Sequence, residues 1–454
     1  MTDVGARLVW DNAMTLSAAE QYALELINRA RLDPAAEAIR YGVSLNAGLS
    51  AGTISTDARQ VLAPNQELNA SAQAHSDWML ETDTFSHTGV NDSTPGVRMN
   101  QAGYLFEGSW GWRENLAWSG TSGTMDLEAA IDGHHEGLYL SAGHRTNTFA
   151  TTIREVGIAQ VGGDFVQDGV AYDSSMLTVN FAHSGTDVFV TGVAFDDRDG
   201  DDFYSIGEGL GGIWFEADGV RVTTEQAGGY GIGITASDDV FVQVGQGDLV
   251  LAELRLDLSD GNGKLDLMAD AHGAPVLLLS ADATLVSGIP DATLLGVGDL
   301  NLTGNDADNV LTGNSGDNVL DGAGGDDQLF GGGRRPTAFG EDGSNADVLQ
   351  GGAGDDMLSG QAGADVLMGG AGDDTLEGGG GRDTFVFTEG EDRITDFTDN
   401  VDMIEIDTFM TVDQVLDLGE MVGDNAVFDF GDGNVLIVED VTHISALEND
   451  LLVI

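Results

Sequence analysis

The sequence predicts a multidomain protein: a mixed helix-and-strand head, a small β-sandwich, and a stacked coil of nine-residue repeats. Three observations predict it. Between residues 304 and 385 an acid or its amide recurs in a nine-residue phase, at Asn309, Asn318, Asp327, Asp347, Asp356, Asp365, Asp374 and Asp383. Two residues after each stands an apolar side chain: Leu311, Leu320, Leu329, Leu349, Leu358, Leu367, Leu376 and Phe385. A fixed period of this kind marks stacked units, each burying its apolar residue against its neighbours. Second, residues 187–270 read as short, apolar or alternating strands separated by Gly and Asp turns. Third, residues 14–185 switch from helical to strand periodicity along their length.

Composition narrows the function. At 454 residues a prior of about three domains is reasonable. With 77 acids against 17 bases the net charge is −60, which argues against nucleic acid as a partner, because phosphates need Lys and Arg. Residues 1–185 hold 22 acids and nine arginines, leaving 55 acids and eight bases for the rest. The second part is therefore a cation sink; a salt-adapted surface is a rival reading that adds to the first. No cysteine is present, which excludes disulfides and thiolate-bound metals. The opening MTDVGARLVWDNAM has no basic segment followed by an apolar run, so no secretory signal peptide is expected. No apolar stretch reaches the ~18 residues of a membrane span.

In the head, the first helix is predicted within 14–42, opened by a Ser17–Glu20 capping box and striped by Tyr22, Leu26, Ile27 and Ala30. A second helix covers Leu68 to Leu80, with Ala72, His75 and Met79 on one face, His75 read as packed in the core. A loop and the stretch GSWGWRENLAW follow. A third helix runs from about Met125 to Tyr139, capped by Thr124 with Asp126 and Glu128 in its first turn. Two strands, 155–163 and 175–182, close the unit.

The segments ELINRAR (25–31), AQAHSDWM (72–79), FSH (85–87), AGY (102–104), REN (113–115), GLYLSAGHRTN (137–147) and REVGI (154–158) resemble, in order, those of the CAP superfamily in its bacterial, SCP-like form. The resemblance implies an α-β-α sandwich over 14–185 with a cleft of two histidines and two acids that often holds a divalent metal. His87, Glu114 and His144 match three of the four positions. The fourth falls at His135, beside Glu136, where the family has an acid. Two imidazoles and a carboxylate are also a plausible Zn²⁺ set with an open position. The alternative is that they only brace the cleft. No nucleophile elbow is present, and Ser141 near His144 has no third partner in the sequence, so catalysis is the less favoured reading.

The strands of 187–270 resemble transthyretin-like or B-repeat modules of bacterial surface adhesins, through FDDRDGDDFYSIGEGLGG and TTEQAGGY. Within them Asp197, Asp199, Asp201 and Glu208 occupy positions 1, 3, 5 and 12 of a calcium loop, with Asp202 in place of the usual glycine at position 6. A solvated acidic turn is the alternative. Residues 271–300 read as a strand-bearing connector.

The array itself, through GGAGDDML (351–358) and GGAGDDTL (369–376), resembles the haemolysin-type RTX calcium-binding repeat, which implies a parallel β-roll over 301–386. Glycines permit the tight turns, and Asp327, Asp347, Asp356, Asp365, Asp374 and Asp383, with backbone carbonyls, offer the oxygen ligands that Ca²⁺ requires. Asn309 and Asn318 lack the charge. The slot nine after Asp327 falls on Pro336, and the next follows eleven residues later; this reads as one dead slot and a two-residue bulge. Residues 387–454 resemble the closing unit that follows such arrays in secreted metalloproteases, and the last stretch an uncleaved type I secretion signal. No H-E-x-x-H occurs.

The expectation is an extracellular protein, secreted or held at the cell surface, exported by a type I apparatus and stabilised by several Ca²⁺ ions. Its head binds an extracellular lipid, glycan or protein. One alternative is a metal-assisted hydrolase using the Zn²⁺ set; another is an adhesive surface or matrix protein.

Overall fold

The computed structural model describes residues 16–332 and 345–454. They form two compact units, one of residues 16–251 with Leu256–Pro275, the other of Ala252–Arg255 with residues 276–332 and 345–454.

In the first unit, helix α1 (Ala18–Leu32) starts at the expected box: the Ser17 hydroxyl accepts from the Glu20 N–H while Glu20 accepts from the Ser17 N–H at 2.8 Å. It stops at Asp33 because a residue before proline disfavours helical backbone. Asp33 then caps α2 (Pro34–Arg40), so the single predicted helical stretch is two helices. Helix α3 (Gln66–Glu81) is capped by Asn65. The short α4 (Pro95–Gln101) lies within the expected loop. Helix α5 (Leu127–Leu140) is capped by Asp126, which accepts from the Ala129 N–H, not by Thr124. Helix α6 (Ala142–Thr148) follows at once.

A four-stranded sheet runs in the order β1 (Ala63–Pro64), β3 (Glu155–Gln167), β4 (Val170–Ser184), β2 (Trp110–Thr121). Strands β3 and β4 form a hairpin, β2 pairs antiparallel with β4, and β1 lies parallel to β3. Strand β2, WGWRENLAWSGT, covers most of the stretch GSWGWRENLAW, for which the sequence alone predicts no strand. Alternation divides β4 between two cores. Leu177, Val179 and Phe181 pack with Leu24 and Ile27 of α1 and Ile131 of α5. Met176 packs with Met79 of α3, and Ala182 with Leu68 of α3 and Met99 of α4. Helix α3 approaches β3 so closely that a Cβ on Gly157 would stand 2.1 Å from the Leu68 carbonyl carbon.

The strands after residue 187 belong to the same unit. Val188–Asp196 pairs parallel with Gly263–Ala269 and antiparallel with Gly229–Ile234. Ile213–Ala217 pairs antiparallel with Val220–Thr223 and with Val240–Gln246. Phe215 and Tyr230 stack across these two groups at 3.7 Å, both buried.

The second unit is built mainly of short parallel strands, with a helix (Val412–Leu418) and the antiparallel strands Gly419–Val422, Asn425–Gly431 and Asn434–Val438 near its end. Successive strands alternate between two sheets, and each pairs with the strand one full coil away. Leu302 thus pairs with Leu320, and Leu311 with Leu329, 18 residues on. The apolar rungs from Leu302 to Ile404 are 0–2% exposed. The rungs begin earlier than expected. Pro275–Leu279, Ala283–Gly288 and Asp291–Leu294 already pair in the ladders, so the predicted connector is part of the stack. They also end later, through Glu391–Ile394, Met403–Ile406, Asn434–Val438 and Leu451–Val453.

The predicted dead slot at Pro336 lies outside the described residues. On either side of it, Leu320 pairs with Leu349 and Leu329 with Leu358, each 29 residues on.

Candidate functional site

The repeat carboxylates are held by their own neighbours. One oxygen, Oδ1, of each accepts the backbone N–H of the slot residue one coil earlier: Asp356 from Asp327, Asp365 from Asp347, and Asp374 from Asp356, all at 2.8 Å. Asp327 and Asp347 accept in the same way from Asn309 and Asn318, and Asp383 from Asp365. The second oxygen differs. Oδ2 of Asp327, Asp356, Asp365, Asp374 and Asp392 is buried with no hydrogen-bond partner. A Cβ on Gly351 would stand 2.2 Å from Asp356 Oδ2 and 2.5 Å from the Gly369 carbonyl oxygen; on Gly360 it would meet Asp365 Oδ2 and the Gly378 oxygen at 2.5 and 2.8 Å. Only glycine leaves these small spaces open, and oxygens wall them.

Burial raises these carboxyls, and the neighbouring aspartates add to it: Asp327 reaches about 6, Asp356 and Asp365 about 7, Asp392 about 8. Buried carboxylates with free lone pairs and carbonyl neighbours suit a hard cation with oxygen ligands. The residues therefore fit Ca²⁺, which would neutralise charges that otherwise repel. The amide slots do not. Asn309 donates to the Pro290 carbonyl and accepts from Asn305; Asn318 donates to Asn314 and accepts its N–H. Sequence reasoning missed Asp392 and Asp402. Asp392 accepts from the Asp374 N–H at 3.3 Å and Asp402 from the Asp383 N–H at 3.0 Å. The signal was present: Asp392 stands nine residues after Asp383, with Ile394 two beyond it.

The acidic loop of the first unit brings Asp197, Asp199 and Glu208 together, with ligand oxygens within 4.8 Å of one another. Asp197 Oδ1 accepts from the Gly200 and Asp201 N–H groups, and Glu208 Oε2 from the Ser205 N–H. Asp202 takes the left-handed backbone, φ 60°, that glycine supplies at position 6 of such loops. Asp201 lies outside the set; its Oδ1 accepts from the Phe203 N–H at 2.9 Å. Its carboxyl rises to about 6 through burial and the charges of Asp199 and Asp197.

In the head, Glu114 on β2 is buried and bonds in two directions, to His87 Nδ1 at 2.8 Å and to Arg98 Nη2 of α4 at 2.5 Å. The His87 side chain is 55% exposed. His144 is half-buried at the start of α6; burial, then the charge of His87, lowers its pKa. Strand and helix are tied here by Asn115, which donates to the His144 carbonyl at 3.1 Å. His135 goes elsewhere. Its Nε2 meets Glu37 at 2.9 Å inside the unit, and Glu136 points to solvent, so neither completes a tetrad. Burial would raise Glu37, but His135 and Arg29 outweigh it and hold it at about 2. Among the described residues, metal-holding geometry is met by Asp197, Asp199 and Glu208 and not by His87, Glu114 and His144, so the Zn²⁺ expectation finds no support. His75 is buried, stacked on Trp78 and bonded to the Ser86 carbonyl; burial lowers it to about 4.

Two motif arginines hold the loops. Arg31 is fully buried and donates to the carbonyls of Gln60, Thr148 and Ala150. Arg145, also fully buried, donates to Leu45, Tyr139, Leu140 and Ala47.

Comparison with known proteins gives two family matches. The profile of the Cysteine-rich secretory protein family, CAP, matches residues 24–172. The RTX calcium-binding nonapeptide repeat matches 303–333, 341–376 and 359–394. The chain is thus a multidomain protein with a CAP domain and RTX repeats. Both families support a secreted, calcium-binding protein. Among the described residues no helix is long and apolar enough to cross a membrane. No curated protein matches the chain. Among solved structures it is similar to an extracellular SCP-domain protein from Bacillus anthracis, 23% identical over 27% of this chain and 34% of that one, TM-score 0.19. The chain thus spans about a third of the length of that relative. An outer surface protein of Borrelia burgdorferi is 18% identical over 27% and 78%, TM-score 0.19. An extracellular lipase from Serratia marcescens is 16% identical over 37% and 45%, TM-score 0.18.

Proposed function

We propose that this chain is exported by a type I apparatus and folds its repeats as a parallel β-roll around Ca²⁺ once outside the cell. In this reading the head, residues 14–185, is an α-β-α sandwich that binds an extracellular ligand beside His87, Glu114 and His144. Residues 187–270 form a β-sandwich that carries one more Ca²⁺ at Asp197, Asp199 and Glu208. The observation that carries the proposal is the contrast between slots: Asp327, Asp356, Asp365, Asp374 and Asp392 each leave a buried oxygen without a partner, whereas the amide slots Asn309 and Asn318 do not. Calcium that binds only the folded roll stabilises it by mass action. Extracellular modules work at roughly 10⁻⁴ to 10⁻³ M, far above cytosolic calcium, so the roll stays unfolded until it has left the cell.

The test is calorimetric titration of the chelated full chain with calcium, with hydrogen exchange read over residues 300–395. Binding at several sites with protection gained in that segment is expected. Exchange that chelation leaves unchanged defeats the proposal. For the head, binding to phosphatidylcholine vesicles or to an arrayed glycan panel should weaken in His144→Ala with the fold intact; equal binding by the variant removes the cleft from the reading.

A further inference from the structure

Two arginines of the head stand side by side without a carboxylate. Arg31, near the end of α1, is 0% exposed. Its Nε donates to the Gln60 carbonyl at 2.8 Å, and its Nη1 to the Thr148 and Ala150 carbonyls at 2.5 and 3.1 Å. Its Nη2 is buried and has no partner. Arg59 is held against it, since the Arg59 backbone N–H donates to the Arg31 carbonyl at 2.8 Å. The Arg59 side chain directs Nη1 to the Asp57 and Ala58 carbonyls and Nη2 to the Ser55 hydroxyl, and its buried Nε has no partner. Arg29 and Arg98 of the same head pair with Glu37 and Glu114, but among the described residues neither Arg31 nor Arg59 has a carboxylate partner.

A buried charge without a counter-charge is costly, and a like charge beside it adds to the cost. Burial, then the charge of Arg59, lowers Arg31 to about 9, so Arg31 still carries its charge at neutral pH. Arg145 is the control within the same head. It is equally buried, yet all three of its nitrogens reach carbonyls and none is left over. Excess positive charge and N–H groups without acceptors call for an anion, and the free donors decide which kind. Carboxylates and phosphates are gripped by two parallel N–H groups of one fork. At Arg31, Nε and Nη1 are taken, and at Arg59 both Nη atoms are, so neither arginine has a free fork. The carbonyl oxygens around Arg31 would also repel the additional oxygens of an oxyanion. A halide needs no paired donors and no fixed lone-pair direction. The net charge of −60 repels anions at a distance, but screening ends that field within about 8 Å at physiological ionic strength, and inside this range the two guanidinium groups prevail.

We propose that Arg31 and Arg59 bind a chloride ion, through Arg31 Nη2 and Arg59 Nε. The ion supplies the missing counter-charge at the point where Arg31 joins the end of α1 to Gln60 and to the turn at Thr148 and Ala150. Thr148 ends α6, the helix that carries His144, so the ion braces that helix as well. Chloride in the medium then contributes to the stability of the head by mass action on the folded state, independently of calcium in the repeats.

The test is urea unfolding of the calcium-saturated full chain, followed by tryptophan fluorescence, with chloride exchanged for gluconate at constant ionic strength. All six tryptophans lie at or before Trp214, so the signal comes from the part of the chain that holds the site. The ratio of folded to unfolded protein should rise about tenfold for each tenfold rise in chloride above half-saturation. Arg59→Gln should abolish that dependence and keep the fold, because the Arg59 side chain bonds only within its own loop. Bromide should act as chloride does, and crystals soaked in bromide should show its anomalous signal beside Arg31 Nη2. A ratio equal in chloride and gluconate overturns the proposal, and so does the absence of that bromide signal, even if every variant fails to fold. Equal stabilisation by acetate or nitrate overturns the assignment to a halide. Undiminished chloride dependence in folded Arg59→Gln overturns the part given to Arg59.

Discussion

Acidifying the calcium-free protein should fold its repeat region rather than unfold it. The buried carboxyls of Asp356 and Asp365 lie at about 7, Asp392 at about 8 and Asp327 at about 6, against an ordinary value of 3.8. A carboxyl whose folded pKa is raised binds more protons in the folded than in the unfolded state. Stability therefore rises as pH falls from the folded values toward the unfolded one, the reverse of a salt-bridged aspartate. A shift of three units corresponds to about 4 kcal/mol at a fully dry site. Solvent screening along a slender coil cuts this to about 1–2 kcal/mol per carboxyl. Four such groups add roughly 4–8 kcal/mol, comparable with the ~5–15 kcal/mol of a whole domain. Protons should thus stand in partly for calcium. Tryptophan fluorescence is blind here, because Trp214 is the last tryptophan of the chain. The assay is hydrogen exchange by mass spectrometry of the chelated full chain at about pH 8 and about pH 5, corrected for the intrinsic rate, with peptides from 300–395 as the readout of these carboxyls. Protection that stays level or falls on acidification would refute the reasoning.

Asp365→Asn retains an acceptor for the Asp347 N–H but loses the charge, so the chelated roll should gain stability while the calcium midpoint moves upward. Asp365→Ala strands that buried N–H and should cost a further ~1–3 kcal/mol, whereas Asn309→Ala should hardly move the midpoint in a circular dichroism titration. Glu208→Gln should weaken terbium binding at the Asp197 loop by about 10–100-fold, the equivalent of one charge-assisted contact, as read by sensitised luminescence. Arg145→Ala removes the donors of four carbonyls, two at the end of α5 and two in the 45–47 loop, and should lower the stability of the head by about 3–5 kcal/mol, measured by fluorescence-monitored melting, with Arg145→Lys restoring only part.

Where one residue type in one phase decides the structure, the sequence was enough. The apolar ladder and the burial of Asp327 to Asp383 follow from a nine-residue count, and the same count reaches Asp392. The Ser17–Glu20 box marks α1 for a similar reason, since two reciprocal bonds are local. Other features depended on distant partners. Glu114 was marked by its motif, but its strand was missed because WGWRENLAW mixes exposed tryptophans with buried polar residues, which blurs the alternation. His135 was assigned to the cleft by counting back one helical turn from Tyr139, yet Glu37 on another helix draws it inward. The 29-residue pairing of Leu320 with Leu349 required the register of the strands themselves.

The ladder of carboxylates has a direction. In every rung the donor N–H belongs to the earlier coil and the accepting oxygen to the later one. A chain that leaves the cell tail first lays down the acceptor before its donor arrives. Each emerging turn then docks on an edge already built, and sliding back would tear the bonds just made. Under the proposed export, these slot amides would act as the teeth of a ratchet, each fixing a turn to the one already emerged.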